Sequence, residues 1–372
     1  MRWCQSCVLP DSRPNLFVDE GGVCSACSAF RHRSEINWQD REREFKVIAD
    51  AAAASAGEYD CVIPVSGGKD STWQVVKCLE YGLRPLALSW HPPARTKIGR
   101  LNLANLINLG VDHIDFSISP GVEAAFMRKT FEKAGSSGIP MHFAIFAVPL
   151  SIAVKFGISL IVWGENSAVE YGGGVDDKNL TVLNEAWLSK YGVSQGSGVE
   201  DWYDEILTPQ VLAAYRRPDV NVVKERGIKA VFLGHYFQWD PETSLSVAQT
   251  HGFRTSDDGP KTGYYDYADI DDDFISIHHW LKWYKFGFTR LFDNLSLEIR
   301  HGRIERERAI EIIKTVGAEK PHADIDAFCE FTGLSIAAFD DVCERFRNRD
   351  IWQQDAGIWK IHDFIVPDWN WS

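Results

Sequence analysis

Two groups of residues in this 372-residue chain have the types and spacing to do chemistry. The first is Ser66-Gly67-Gly68-Lys69-Asp70-Ser71, directly behind the apolar run Cys61-Val62-Ile63 and ahead of Gln74-Val75-Val76. Glycines let a backbone approach an anion with no Cβ in the way. N–H groups at a helix start point at that anion, and the helix dipole favours negative charge there. Serine hydroxyls and the Lys69 ammonium add donors and charge, so the stretch reads as a turn that holds phosphate. It is not G-x-x-x-x-G-K-[ST], because the residues between the two glycines of that pattern are missing. Asp70 could ligate Mg2+ or cap the helix. The second group is Cys4-x2-Cys7 and Cys24-x2-Cys27, separated by sixteen residues. Such pairs offer four thiolates to one tetrahedral Zn2+, a closed sphere that suits structure and not catalysis. A module this small needs its metal to fold.

These groups require elements to position them. Residues 1–35 form the zinc-ribbon module and 36–57 a helical connector, charged at 40–46 and alanine-rich at 49–56. Apolar runs at 61–65, 85–90, 112–116, 159–163 and 230–234 predict strands. Amphipathic or apolar stretches at 71–81, 99–109, 122–134 and 143–156 predict the helices between them. This β-α-β alternation implies an α/β domain over 58–240, with a parallel sheet and right-handed crossovers. An insertion at about 170–227 is too long for a plain connection and reads as a lid or substrate-binding element. From 241 to 372 the pattern becomes mostly helical, including 275–286 and 306–316, and reads as a substrate or partner module. Within it, His278-His279-Trp280 reads as ordinary packing in an aromatic helix ahead of a sugar-lining role.

Composition narrows the class. The formal net charge of −13 argues against a broad nucleic-acid footprint, which needs a basic face. No apolar run approaches the roughly 20 residues of a membrane span, and the start Met1-Arg2-Trp3-Cys4 has no signal-peptide core, so a cytoplasmic location is expected. Outside the two pairs, Cys61, Cys78, Cys329 and Cys343 are scattered and read as packing thiols.

Ser66 to Ser71, placed behind a strand, resembles the PP-loop of the ATP pyrophosphatase superfamily. That resemblance implies the adenine nucleotide alpha-hydrolase-like (HUP) fold and cleavage of ATP between the α- and β-phosphates. Ser66, Gly67, Gly68, Lys69, Asp70 and Ser71 would hold pyrophosphate. Ser89-Trp90-His91, at the end of the second strand, would lie along adenine. Gly164-Glu165-Asn166, at the end of the fourth, would face the same crevice. Lys69, Asp70 and Glu165 are the candidate catalytic residues, with ATP and Mg2+ as cofactors beside the structural Zn2+.

Over nearly its whole length the chain further resembles the N-acetyl sugar amidotransferases of bacterial surface-polysaccharide synthesis (WbpG/PseA type). The likeness is carried by the cysteine pairs, "YDCVIPVSGGKDST" (59–72), "GRLNLANLINLGVDHIDF" (99–116), "IVWGENSAVEYGG" (161–173), "KFGFTRLFDNLSLEIRHGRIERERA" (285–309) and "RFRNRDIW" (345–352). It implies adenylation of the acetamido oxygen of a nucleotide-linked N-acetyl sugar, followed by ammonia addition, to give an acetamidino group in a lipopolysaccharide or related glycan. Ammonia would come from a separate HisH-like glutaminase with a HisF-like, cyclase-type partner. In keeping with that, Cys4 is not at position 2 and no G-x-C-x-G turn is present. Asn166, Tyr171, Arg290 and Arg300 are the candidate substrate contacts, with Arg303 beside them. No nucleic acid and no membrane span are expected, and a homo-oligomer is compatible with the reading. The alternatives are a PP-loop tRNA thiolation enzyme and a non-catalytic ATP-binding regulator.

Overall fold

The computed structural model describes residues 1–55, 57–164, 166, 170, 183, 187–188, 190, 193–194 and 196–371. Five strands form one parallel sheet: β1 Cys61–Pro64, β2 Pro85–Trp90, β3 Asp112–Phe116, β4 Leu160–Trp163 and β5 Lys229–Phe232. The spatial order is β3-β2-β1-β4-β5. Val62 is paired with Leu86 on one side and with Ile161 on the other. The chain steps outward from β1 to β2 and β3, then returns to lay β4 on the free edge of β1. The order reverses there, and a crevice opens at the carboxyl ends of β1 and β4, where open α/β sheets bind their ligands.

The strands are short and apolar because both faces are covered. On one face, α2 (Trp38–Ala53), α3 (Lys69–Glu80) and α4 (Lys97–Ile107) bury Phe45, Trp73, Val75, Leu103 and Leu106 against Ile63, Ala87, Val162 and Val231. On the other, α6 (Ile139–Phe156), which follows α5 (Pro120–Ala134), buries Val148, Ile152 and Ala153 against Val62, Leu86, Leu88 and Ile161. By length and composition alone α6 is apolar enough to cross a membrane, and half of it is buried inside the protein. The expectation that no apolar run comes near that length is corrected by this helix. Its apolarity is explained by the sheet it covers. It begins at Ile139, earlier than its sequence pattern indicates, because Pro140 is tolerated in a first helical turn.

Beyond β5 the chain is helical at Pro241–Thr250, Ile275–Phe286, Arg290–Arg300, Arg306–Val316, His322–Thr332 and Ile336–Arg345. It closes with an antiparallel hairpin, Trp352–Asp355 and Ile358–Ile361. The N-terminal cysteine module, which includes α1 (Ser25–Arg31), does not stand apart. Its buried Cys4, Val8, Leu9 and Leu16 share one core with Phe288, Leu291, Phe292, Leu295 and Ile313 of the C-terminal helices. The two ends of the chain therefore stabilise each other.

Candidate functional site

The phosphate turn lies where the topology puts the crevice. Pro64 ends β1, and α3 begins at Lys69. Gly68 occupies the N-cap position in an extended conformation and supplies no side-chain cap, so the first N–H groups of α3 have no acceptor from that residue. Gly67 has φ +91°, and a Cβ there would sit 2.6 Å from the Leu103 nitrogen and 2.7 Å from its Cα. Only glycine lets the turn pass that close to α4. Ser71 Oγ accepts from the Gly67 N–H (3.2 Å) and donates to the Gly68 carbonyl (3.0 Å), which fixes the turn from inside.

Two cavities meet at this turn. The smaller, of about 190 Å3, is lined by Gly67, Gly68, Lys69, Trp239, Tyr267 and Arg290 among others. The larger, of about 420 Å3, lies over the strand ends against Trp90, Arg95, Phe146, Trp163, Gly164 and Trp187. Ser66, Asp70, Ser71, Asp269 and Asp271 line both. The polar turn faces the smaller space, and the apolar, aromatic walls belong to the larger.

Lys69 is not the exposed lysine its position in a loop suggests. It is 6% exposed. Its Nζ donates to Asp70 Oδ2 at 2.5 Å and lies 5.4 Å and 5.7 Å from the ring centres of Trp239 and Tyr267. Trp239 Nε1 donates to Asp70 Oδ1 (2.9 Å). Asp70 therefore neither caps α3 nor stands free.

The segment 269–273 is the part of the site that sequence reasoning missed. It crosses the start of α4, where the Thr96 N–H donates to the Asp271 carbonyl (3.0 Å) and Thr96 Oγ1 to that of Ile270 (2.6 Å). A Cβ on Gly99 would lie 2.8 Å from Asp271 Cα, so glycine permits the crossing. Burial raises the Asp271 carboxyl above its ordinary range. Burial and the neighbouring Asp271 push Asp272 up to about 7. The available signal was four aspartates in five residues just before a helix, a pattern that also fits a solvated loop. Asp70, Asp269 and Asp271 are the carboxylates that would hold Mg2+, a hard cation that takes oxygen ligands.

The other expected residues divide. Trp90 and Gly164 line the larger cavity. The side chains of Ser89 and His91 turn away from it. Ser89 Oγ donates to Asp115 Oδ1 (2.9 Å), and His91 Nδ1 lies 2.8 Å from Asp115 Oδ2. Burial alone would raise the Asp115 carboxyl, but Arg95, His91 and Ser89 hold it below the usual range. Trp90 Nε1 donates to Glu123, whose carboxyl burial pushes up to about 7. Asn166 is buried and accepts from Trp187 Nε1 (3.2 Å) behind the cavity wall. Glu165 and Tyr171 lie outside the described residues. Arg290 reaches the smaller cavity, where its Nε donates to Asp269 Oδ2 (3.0 Å).

Arg300 is a correction. It lines neither cavity and lies half-buried beside the cysteine cluster. Burial disfavours its charge, but the sulfurs of Cys7, Cys27 and Cys24 outweigh that and raise its pKa. Its Nη2 donates to the Glu170 carbonyl (2.9 Å). Arg303 is likewise spent on Glu298 and Asp240. Sequence gives the residue type but not the direction an arginine on a helix faces.

Cys4, Cys7, Cys24 and Cys27 are all buried, with their sulfurs within 4.8 Å of one another. Cys4 and Cys27 Sγ are 4.0 Å apart, and Cys7 and Cys24 Sγ 3.7 Å. A tetrahedron with Zn–S near 2.3 Å has edges of about 3.8 Å, so the four sulfurs fit zinc. Backbone N–H groups of Cys7 and Cys24 donate to Cys4 Sγ, and Arg306 donates to the Cys7 and Cys4 carbonyls. Four thiolates around Zn2+ carry net negative charge, and Arg300 and Arg306 are the cations that offset it.

Residues 261–365 match the model of the family described as LPS biosynthesis protein WbpG-like, C-terminal domain. That segment, less than a third of the chain, is what the family match covers. No curated protein matches the chain. Among solved structures it is similar to NMN synthetase from Francisella tularensis, at 12% identity over 72% of this chain and 94% of that one, with a TM-score of 0.34. It is also similar to the NH3-dependent NAD synthetase from Campylobacter jejuni subsp. jejuni NCTC 11168 in complex with the nitrate ion. That likeness is at 16% identity over 52% of this chain and 94% of that one, with a TM-score of 0.30. At these values neither likeness bears on activity. The matched segment supplies Asp269, Asp271, Asp272 and Arg290 to the crevice, so it forms a wall of the site.

Proposed function

We propose that this protein is an ATP-dependent amidotransferase that forms AMP and diphosphate and converts the acetamido group of a nucleotide-linked N-acetyl sugar into an acetamidino group. One observation carries the reading. The Gly67-Gly68-Lys69 turn and Arg290, from the segment that matches the family model, line a single cavity, so the phosphate-type turn and that segment face the same space. In this reading the turn amides, Lys69 and Arg290 hold the β- and γ-phosphates. Asp70, Asp269 and Asp271 would hold Mg2+, which would supply charge neutralisation at the phosphates. The acetamido oxygen attacks the α-phosphorus and diphosphate leaves. Ammonia then adds to the activated carbon, loses a proton, and AMP departs with the former amide oxygen. The aromatic walls of the larger cavity exclude water, which would otherwise hydrolyse the activated amide.

A thiolation enzyme needs a reactive thiol near the activated carbonyl. Among the described residues no cysteine lines either cavity, and burial together with Cys78 raises the pKa of Cys61. The ammonia donor is proposed to be the separate glutaminase with its cyclase-type partner.

The test is incubation of the pure protein with ATP, Mg2+, ammonium and a panel of nucleotide-linked N-acetyl sugars. AMP and diphosphate should form only with the right sugar, and 18O placed in its acetamido group should appear in AMP. ADP as product, or label in water, would overturn the mechanism. Glutamine should not replace ammonium until the glutaminase is added.

A further inference from the structure

Gln74 lines the larger cavity from the second turn of α3. Asp70 and Ser71, four and three residues earlier, line it too, so the three share one face of the helix. Gln74 is 4% exposed, yet its carboxamide hydrogen-bonds to none of the described residues. Neither of its amide atoms is among the sealed, unpaired polar atoms of those residues, so the carboxamide is open to the space it lines. Gly164, at the end of β4, fixes where it lies. A Cβ there would sit 3.2 Å from Gln74 Cδ, 3.2 Å from Nε2 and 3.5 Å from Oε1. Three near-equal distances put the flat of the amide against that glycine, which lines the same cavity. The other neutral polar side chains of the lining are engaged or sealed. Ser66 Oγ accepts from the Gly68 N–H (3.2 Å), and Ser71 is spent within the turn. Trp90 Nε1 donates to Glu123 and Trp187 Nε1 to Asn166, while Trp163 Nε1 is unpaired but sealed. Among the charged ones, Asp70, Asp269 and Arg95 are paired with Lys69, Arg290 and Asp115, and Asp271 and Asp272 complete the lining.

Trp90 ends β2 on one flank of β1, and Gly164 follows β4 on the other, so the cavity has two ends and Gln74 belongs to the second. Phe146 packs there against Trp163 and Trp187, with ring centres 5.2 Å and 5.9 Å away. A carboxamide is uncharged and carries both an acceptor oxygen and two donor hydrogens. In the proposed reaction the acetamido oxygen must be left free to meet phosphorus, which leaves the acetamido N–H to be recognised. As the oxygen–phosphorus bond forms and diphosphate leaves, the nitrogen lone pair moves toward carbon. Positive charge gathers on nitrogen, which keeps its proton. An acceptor on that N–H therefore holds the transition state more tightly than the ground state.

We propose that Gln74 recognises the acetamido group of the acceptor sugar, its Oε1 accepting from the amide N–H. Its part in group transfer rests on the amidotransferase reading; the amide recognition itself does not. The experiment uses the full chain labelled with 15N-glutamine, and follows the side-chain NH2 resonances of Gln74, identified by their loss in Gln74→Met. UDP-N-acetylglucosamine and UDP-N-acetylgalactosamine are titrated with and without Mg2+ and α,β-methylene-ATP, whose α–β link cannot be cleaved. UDP-glucose and UDP-galactose, with a hydroxyl in place of the acetamido group, are the controls. At least one N-acetyl sugar should move the Gln74 resonances saturably, and the controls should leave them in place. Gln74→Met and Gln74→Leu should bind that sugar roughly threefold to tenfold more weakly and the controls equally well. In turnover with ATP and ammonium, kcat/KM should fall roughly 10- to 100-fold, mostly in kcat, because the bond strengthens in the transition state. Neither variant should melt below wild type, since no described residue loses a partner. No saturable shift, the same shift from the controls, or unchanged affinity in both variants would each overturn the proposal. An acetamido-dependent shift with no AMP formed from ATP would sink the amidotransferase reading and leave the recognition standing. Sugar-dependent AMP formation with wild-type kcat/KM in both variants would do the reverse.

Discussion

Lys69→Ala separates a turn residue that serves only chemistry from one that also holds the fold. As an exposed phosphate ligand, Lys69 could be removed with little change in melting. The structure predicts otherwise. Its ammonium is buried, 2.5 Å from Asp70, and lies over two aromatic rings. Loss of a fully buried partner costs about 3–5 kcal/mol. Asp70 keeps 29% of its side chain in contact with solvent and its bond from Trp239, so the cost here is nearer 1–2 kcal/mol. The lost cation–π contacts add about 0.5–1 kcal/mol. The sum, about 1.5–3 kcal/mol, should lower Tm by roughly 2–4 °C, since unfolding entropy scales with length and a chain of 372 residues shifts by only about 1.3 °C per kcal/mol. Lys69→Met keeps the stem and should recover part of the loss. In Asp70→Asn, removal of the lysine should cost less, since the pair is already broken. Differential scanning calorimetry of wild type and these four variants, the double variant included, measures all of this. A Lys69→Ala protein melting within about 1 °C of wild type would refute the buried-pair argument, even if its AMP-forming activity were abolished.

Three further predictions follow from other parts of the molecule. Purified protein should contain about one zinc per chain by elemental analysis, and Cys24→Ser should melt the C-terminal helices with the ribbon because the two share one core; far-UV circular dichroism would show an unchanged helical content if this is mistaken. Gly67→Ala puts a Cβ against the α4 backbone at a φ unsuited to other residues, and should cost at least about 1–2 kcal/mol and abolish diphosphate release; a stable, fully active variant would remove the tight turn from the argument. Asp272 has a folded-state pKa near 7, above the ordinary carboxyl value, so the folded protein binds its proton more tightly. That contribution is fully present below about pH 4 and is lost as pH rises toward 7, by up to about 4 kcal/mol. It arises from burial beside Asp271 and Asp273, with Lys261 opposing. Asp272→Asn should flatten this fall in urea-melt stability, and an unchanged slope would count against it.

The elements that carry the turn were legible because they are local. Residues 85–90 and 112–116 alternate or run apolar over the length of a strand, and both strands form at those bounds. Strand ends elsewhere moved by one or two residues, as at 61–65, where the last residue instead enters the turn. The cysteine spacing likewise encodes its own cluster, since two residues between thiols set both on one turn. The order of strands and the crevice between β1 and β4 are fold-level consequences of the same alternation.

What lay beyond the sequence was every feature made by residues distant along the chain. Nothing near Lys69 announces that Trp239 and Tyr267 will cover it, more than 150 positions later. Arg290 and Arg300 begin and end one helix, yet the first faces the phosphate turn and the second the cysteine cluster. Ten residues at 3.6 per turn do not return to the same face, and only the packing of that helix between two sites decides which guanidinium meets which. The acidic run at 269–273 became part of the site for the same reason. Its composition fits water as well as a crevice, and its close crossing over Gly99 at the start of α4 is what turned it inward.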